Sequence, residues 1–250
     1  MLAIRQDGAM PGQWLMDRDA QELEQAAAGI LSEPRVSFYQ WEVPTLSLGY
    51  HQTEDKIDYD RLRILNVPMV RRPTGGAAVL HSEELTYSIV LPGLDDLRTG
   101  SLVLEYIGRA LTAALREIGV DATLDERGEA LTPLANRTSC FARTSRWEVA
   151  VHGKKIVGSA QRRLGGAILQ HGSILTGPDH LRIVELLKVR EDTERSLLRA
   201  RLASKATCVG DEIGQGDHVQ RLRSALEGTF AAGYPHFVEK VEGLTLVARH

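Results

Sequence analysis

The stretch "RWEVAVHGKKIVGSAQRRLGGAILQHGSIL", residues 146–175, constrains the fold most. It has the rhythm of three strands, punctuated at His152-Gly153 and Gly165-Gly166. Two-residue turns that accept positive φ join neighbouring strands back to back. Parallel strands would instead need a crossover of a dozen or more residues. The rest of the chain keeps strands in runs with helices between them. "RVSFYQWEV" and "TLSLGYH" read as strands broken by Pro44, and "VPMVRR" and "AAVLH" as strands joined at Pro73-Thr74-Gly75-Gly76. "ELTYSIVLP" alternates as a further strand. This order predicts α+β with a mixed, largely antiparallel central sheet flanked by helices, not a regular doubly wound fold.

Helical spacing marks "DRDAQELEQAAAGILSE", the short "DYDRLRILN" with an acidic cap, and "SLVLEYIGRALTAALREIG" with Ser101 as cap and Gly119 as stop. "DHLRIVELLK", "ERSLLRARL" and "HVQRLRSALEGTFAAGY" continue as helices. No repeat or linker interrupts the 250 residues, which suit one domain, residues 1–250, whose part from 176 onward is mainly helical. A net charge of −3 gives no global field for nucleic acid. No apolar run approaches the length of a membrane span, and the N-terminus lacks the pattern of a signal peptide. A cytoplasmic protein is expected. Cys140 and Cys208 are too few and too far apart for a disulfide framework or zinc site, and no metal motif is present.

In "VRRPTGGAAVLHSEELTYSIVLP", Gly75 and Gly76 let the backbone pass close to a ligand, with Arg71 and Arg72 beside it as fixed charge for a phosphate, a carboxylate or an acidic partner. A hairpin with two solvated arginines reads equally well. Cys140 stands in the polar stretch "ANRTSCFARTS" with Arg137, Arg143 and Arg146 near it in sequence, and cationic neighbours favour the thiolate. An inert loop thiol is the alternative, and Cys208 reads as structural. Strand alternation sends Lys155, Val157 and Ser159 to one face and Ile156, Gly158 and Ala160 to the other. A lysine turned into a cleft can anchor a carbonyl, although a Lys-Lys pair at a turn is ordinarily solvated. His81 and His171 read as hydrogen-bonded structural histidines.

"RRPTGGAAVLH", "GKKIVGSAQRR" and "LQHGSIL", in this order and after "PTLSLGYHQ", resemble the biotin/lipoate protein ligase and lipoyl transferase superfamily. The motifs span roughly residues 14–175. The Cys-Phe pair before "WEV" is similar to the nucleophile position of its LipM-type octanoyltransferase branch. The resemblance implies transfer of octanoyl from acyl carrier protein, through a thioester on Cys140, to a lysine of a lipoyl-domain protein such as glycine cleavage H protein. It implies Lys155 as the active-site lysine, and Arg72, Gly75, Gly76, His81, Gly158, Ser159 and Ala160 as the acyl-binding pocket. No cofactor is implied, because a thioester is already activated. The loop departs from the family pattern at Ala77 and Ser82. An ATP-dependent lipoate ligase, a transferase drawing octanoyl from H protein, and a non-catalytic module that docks acylated carriers are the competing readings. A biotin ligase fits less well.

Overall fold

A computed structural model describes residues 1–126, 147–214 and 216–247. Its strands are β1 (Ala3–Met10), β2 (Arg35–Trp41), β3 (Thr45–Leu48), β4 (Met69–Arg71), β5 (Val79–His81), β6 (Glu84–Leu91), β7 (Thr123–Asp125), β8 (Glu148–Val151), β9 (Lys154–Lys155), β10 (Val157–Leu164) and β11 (Ala167–Leu175). The α-helices are α1 (Gly12–Ala27), α2 (Tyr59–Ile64), α3 (Thr99–Glu117), α4 (Asp192–Ala203), α5 (Val209–Ile213) and α6 (His218–Val247), with a 3₁₀ helix over Pro178–Leu186. The main sheet runs β1-β2-β6-β11-β10, and two three-stranded sheets run β4-β3-β5 and β7-β8-β9. β1/β2 and β3/β4 pair in parallel and every other ladder is antiparallel, which is the expected mixed α+β class.

The main sheet is covered on both faces. Phe38, Tyr87 and Ile89 pack against Ile107 and Leu111 of α3 and Phe230 of α6. Leu23 and Ala26 of α1 pack on Val90 and Leu169 from the other side. β6 is therefore buried along its whole length. Its alternation sorts two interiors: Leu85, Tyr87 and Ile89 into the apolar core, and Glu84, Thr86 and Ser88 into a polar one. The small β4-β3-β5 sheet makes a separate core with the 3₁₀ helix and α4, including Leu46, Leu80, Ile183, Leu202 and Cys208.

Both expected turns form with positive φ at each central residue, 48° and 76° at His152-Gly153 and 46° and 72° at Gly165-Gly166. Gly119 stops α3 with φ 102°, its N–H bonding Arg116 O while Val120 N–H bonds Leu115 O. Asp58 caps α2 by accepting from Arg61 N–H.

Several boundaries differ from the sequence reading. α3 begins at Thr99, so Ser101 lies inside it. α1 begins five residues before Asp17, at Gly12, and ends at Ala27. β4 and β5 do not form a hairpin, because β3 lies between them. The strand expected through "KKIVGSAQRR" breaks at Ile156, where the chain leaves the small β7-β8-β9 sheet for the main one. α6 continues through Pro235. The missing N–H there costs a helical bond. The aromatic seam offsets it: Tyr106 stacks on Phe237 at 5.0 Å, meets Phe230 edge-on at 5.7 Å, and donates to Phe230 O at 2.8 Å. No described helix is long and apolar enough to cross a membrane.

Candidate active site

The polar face of the main sheet, α1 and the small sheet border a narrow, partly open cleft. Arg72, His81, Gly158, Ser159 and Ala160, all expected from the sequence, line it together with Met16, Tyr39, Trp41, Val79, Thr86, His171, Gly172 and Ser173. Gly75, Gly76 and Lys155 do not. Cys140, with Arg137, Arg143 and Arg146, lies outside the described residues.

The two arginines have opposite tasks. Arg71 points outward, bonds Gly49 O and Gln52 O at 2.9 and 2.8 Å, and pairs with Glu54 at 2.6 Å. Arg72 is buried and donates from Nη1 to Ser47 O and Oγ and from Nη2 to Gly75 O and Ala77 O. Arg71 is exposed but engaged, Arg72 is buried, and both direct donors to backbone that shapes the loop. The glycines also serve the loop itself. Gly76 has φ 99°, and a Cβ on Gly49 would stand 2.0 Å from Gly76 O, so two backbone segments are knotted together.

Two hydrogen-bonded chains fix the cleft's histidines. Ser47 Oγ, which accepts from Arg72, lies 2.6 Å from His81 Nε2, and His81 Nδ1 lies 2.8 Å from Glu84 Oε1. These partners set the tautomer: Ser47 donates to Nε2, and Nδ1–H donates to the carboxylate. Thr86 and Ser173 also donate to Glu84 Oε1, and Trp41 Nε1 donates to Thr86 Oγ1. The Trp41 indole stacks on His81 with ring centres 3.9 Å apart. Burial pushes the His81 pKa down, more than Glu84 raises it, so the ring that faces the cleft is neutral. In the second chain, Asp19 takes bonds from Arg18 at 2.9 Å, Tyr39 OH at 3.0 Å and His171 Nδ1 at 3.1 Å, while His171 Nε2 lies 2.5 Å from Thr74 Oγ1. Burial pushes the Asp19 pKa up, but His171 and Arg18 outweigh it and the carboxylate stays ionised.

The cleft is thus a largely apolar slot with fixed hydroxyl and imidazole dipoles, in which the Arg72 guanidinium and the Asp19 and Glu84 carboxylates are held by hydrogen bonds. β10 turns Gly158 and Ala160 toward it, opposite Ser173 and His171. Ser159 borders the cleft with its hydroxyl 2.7 Å from Tyr87 OH on the other face. A Cβ on Gly172 would meet Gly158 O at 2.5 Å and Tyr87 Cε1 at 2.8 Å, so only glycine fits there. Asp19, Tyr39, Trp41, Glu84 and Gly172 were not legible as site residues. The one signal available, "LQHGSIL", marked His171 without its partner.

Lys155 and Lys154 point in different directions, as alternation requires: Lys155 is buried and Lys154 exposed. Lys155 does not share a strand with Ser159, however. Its Nζ pairs with the Glu148 carboxylate at 2.7 Å, and its backbone is held by Lys205 O and Thr207 N–H. Cys208 is buried, and burial pushes its thiol up to about 11, which agrees with a structural cysteine. No cluster of potential metal ligands occurs among the described residues.

Residues 15–231 match the lipoyl protein ligase A/B catalytic domain. The chain belongs to this family. The match extends well past the motif-bearing part into the helical C-terminal region. The octanoyltransferase LipM of Kyrpidia tusciae is 39% identical over 79% of this chain and 74% of its own length. That of Clostridioides difficile is 36% identical over 85% and 79%. Two solved ligases share the fold. The bipartite lipoate protein ligase of Thermoplasma acidophilum superposes with a TM-score of 0.72 at 23% identity, covering 93% of this chain and 83% of that one. Lipoate-protein ligase A bound with ATP gives 0.69 at 24%, covering 93% and 85%. Within the family fold, the cleft is largely apolar and partly enclosed.

Proposed function

We propose that this chain is a cytoplasmic octanoyltransferase of lipoate assembly, working as a single catalytic domain and taking octanoyl from acyl carrier protein. The observation that carries this is its similarity, over about four fifths of its length, to octanoyltransferases of the LipM type. The cleft supports it with largely apolar walls whose polar groups are hydrogen-bonded, which suits an alkyl chain.

In the first step the Cys140 thiolate attacks the octanoyl carbonyl of the phosphopantetheine thioester. A new C–S bond forms, the old one breaks, and the phosphopantetheine thiolate leaves and takes up a proton. Thioester for thioester is nearly isoenergetic, so no ATP is needed. In the second step the amine of a lipoyl-domain lysine attacks the acyl-enzyme, loses a proton, and displaces the Cys140 thiolate as an amide forms. The amide is far more stable and draws the cycle forward. Glycine cleavage H protein and the acyltransferase subunits of the dehydrogenases carry such lysines. Lys155 supplies fixed positive charge for the tetrahedral oxyanion, held in one orientation by Glu148. Arg72, Gly75 and Gly76 serve by forming the loop that walls the cleft, while His81, Gly158, Ser159 and Ala160 line it.

The test is octanoylation of a lipoyl domain from octanoyl-acyl carrier protein with ATP and magnesium absent. Transfer under those conditions, with little activity on free lipoate plus ATP, supports the reading. Lipoylation only with ATP favours the ligase.

A further inference from the structure

α4 carries its charge asymmetrically. Glu191, Asp192 and Glu194 crowd its start, whereas Arg199 and Arg201, followed by Lys205, mark its end. Arg201 and Lys205 are exposed, and so is Lys154 at the β8–β9 turn. The backbone brings these elements side by side, because Lys155 N–H bonds Lys205 O and Thr207 N–H bonds Lys155 O. Among the described residues no carboxylate pairs with Lys154, Arg201 or Lys205. Leu197, one helical turn before Arg201 and on the same side of α4, is 70% exposed. A chain with net charge −3 thus holds, among the described residues, a local group of exposed cations with no carboxylate partner, and an exposed leucine lies one turn from Arg201.

Exposed cations without carboxylate partners, with an apolar side chain one helical turn from one of them, are the complement of an acidic protein surface. A phosphate backbone would make no use of the leucine. Position then separates the two protein partners of a transferase. None of the cleft's lining residues comes from α4, β8 or β9. Lys154 is four residues from Gly158 in the cleft wall. An extended chain of that length spans at most about 14 Å. A carrier docked on this surface sits beside the cleft, within reach of a long flexible prosthetic arm. An acceptor lysine, on a four-carbon stem, needs its own protein directly over the mouth.

We infer that Lys154, Leu197, Arg201 and Lys205 form the docking surface for an acidic face of the acyl-delivering carrier protein. This rests on the transferase reading above.

The test compares wild type with Lys154→Glu/Arg201→Glu/Lys205→Glu using octanoyl-acyl carrier protein and the neutral thioester octanoyl-N-acetylcysteamine as donors, with one lipoyl domain as acceptor. The variant should raise KM for the carrier-bound donor about tenfold and flatten its salt dependence. Turnover at saturation, KM for the acceptor and the rate with the small thioester should stay unchanged. Carrier binding measured by fluorescence anisotropy should weaken equally, and Leu197→Asp alone should weaken it too. An unchanged carrier KM overturns the inference while leaving the transferase reading intact. A raised acceptor KM overturns it as well, as does an equal loss with the small thioester. Displacement of the carrier by a short DNA duplex that binds more tightly would assign the surface to nucleic acid and overturn it. Wild type inactive with both donors would refute the transferase reading itself, and the docking assignment with it.

Discussion

Replacing Asp19 by alanine is the most informative perturbation of the cleft's support. The carboxylate is fully buried and is the shared acceptor for Arg18, Tyr39 and His171. Arg18 keeps its bond to Asp7 at 2.6 Å, but the Tyr39 hydroxyl and His171 Nδ1–H lose their acceptor inside the protein. An orphaned buried donor costs about 1–3 kcal/mol. Removing one partner of a buried ion pair costs about 3–5 kcal/mol. Alanine returns about 0.5 kcal/mol in helix propensity. The ion-pair figure already contains the cost of the donors it orphans, so a net loss of about 3–5 kcal/mol follows, seen in urea unfolding as a lower midpoint with unchanged slope and in heating as a fall of about 6–20 °C. The loss depends on pH. Asp19 titrates below its ordinary value of 3.8 in the folded chain. The folded state therefore binds fewer protons there, and the stabilisation is full above that pH and vanishes as pH falls through the folded value. The gap between wild type and variant should be constant near neutrality and narrow in acid. A loss under 1 kcal/mol, or a gap that widens in acid, would refute the assignment of Asp19 as the ionised keystone of this network.

Gly172→Val should cost about 1–3 kcal/mol and depress acyl transfer, since its Cβ would strike Gly158 O and Tyr87; thermal unfolding and a transfer assay read both. Lys155→Ala should slow transfer about 10²–10³-fold, the scale of losing one aligned oxyanion contact, whereas Lys154→Ala should leave saturated turnover unchanged; comparable small effects in steady-state rates would place both on the surface. In a Cys140→Ala chain, Cys208 should react with a disulfide reagent only after unfolding, because it is buried and its thiol is pushed up to about 11; rapid labelling of the native protein would contradict that.

Local chemistry wrote the parts of the fold that the sequence made plain. Gly119, the Asp58 cap and both two-residue turns act within one turn of chain, and their residues leave few conformations open. Partners distant in sequence wrote what was missed. β1 reads "AIRQDGAM", too polar to alternate, yet it pairs in parallel with β2. The Pro73–Gly76 turn resembled a hairpin because nothing local reveals that β3 inserts between β4 and β5. Five of the expected pocket residues do meet in one cleft. Asp19 falls within a stretch read only as helix, and Glu84 at the start of one read only as an alternating strand. Asp19 acquires its meaning only from His171, far along the chain, and Glu84 from His81, three residues before it but on a strand of a different sheet. The arginines of the loop were expected to greet a partner, but their donors are taken up by Ser47 of β3 and by Gly49 and Gln52 just after it, on a segment separate in sequence.

The central claim is covalent transfer through Cys140, and intact-mass analysis of the protein after mixing with octanoyl-acyl carrier protein tests it most directly. The account expects one octanoyl adduct, labile to hydroxylamine, mapped by peptide mass to Cys140, absent from Cys140→Ala, and lost when a lipoyl domain is added as that domain gains an octanoyl amide. An active enzyme with no adduct, an adduct on Cys208, or ATP-dependent lipoylation that survives Cys140→Ala would contradict it.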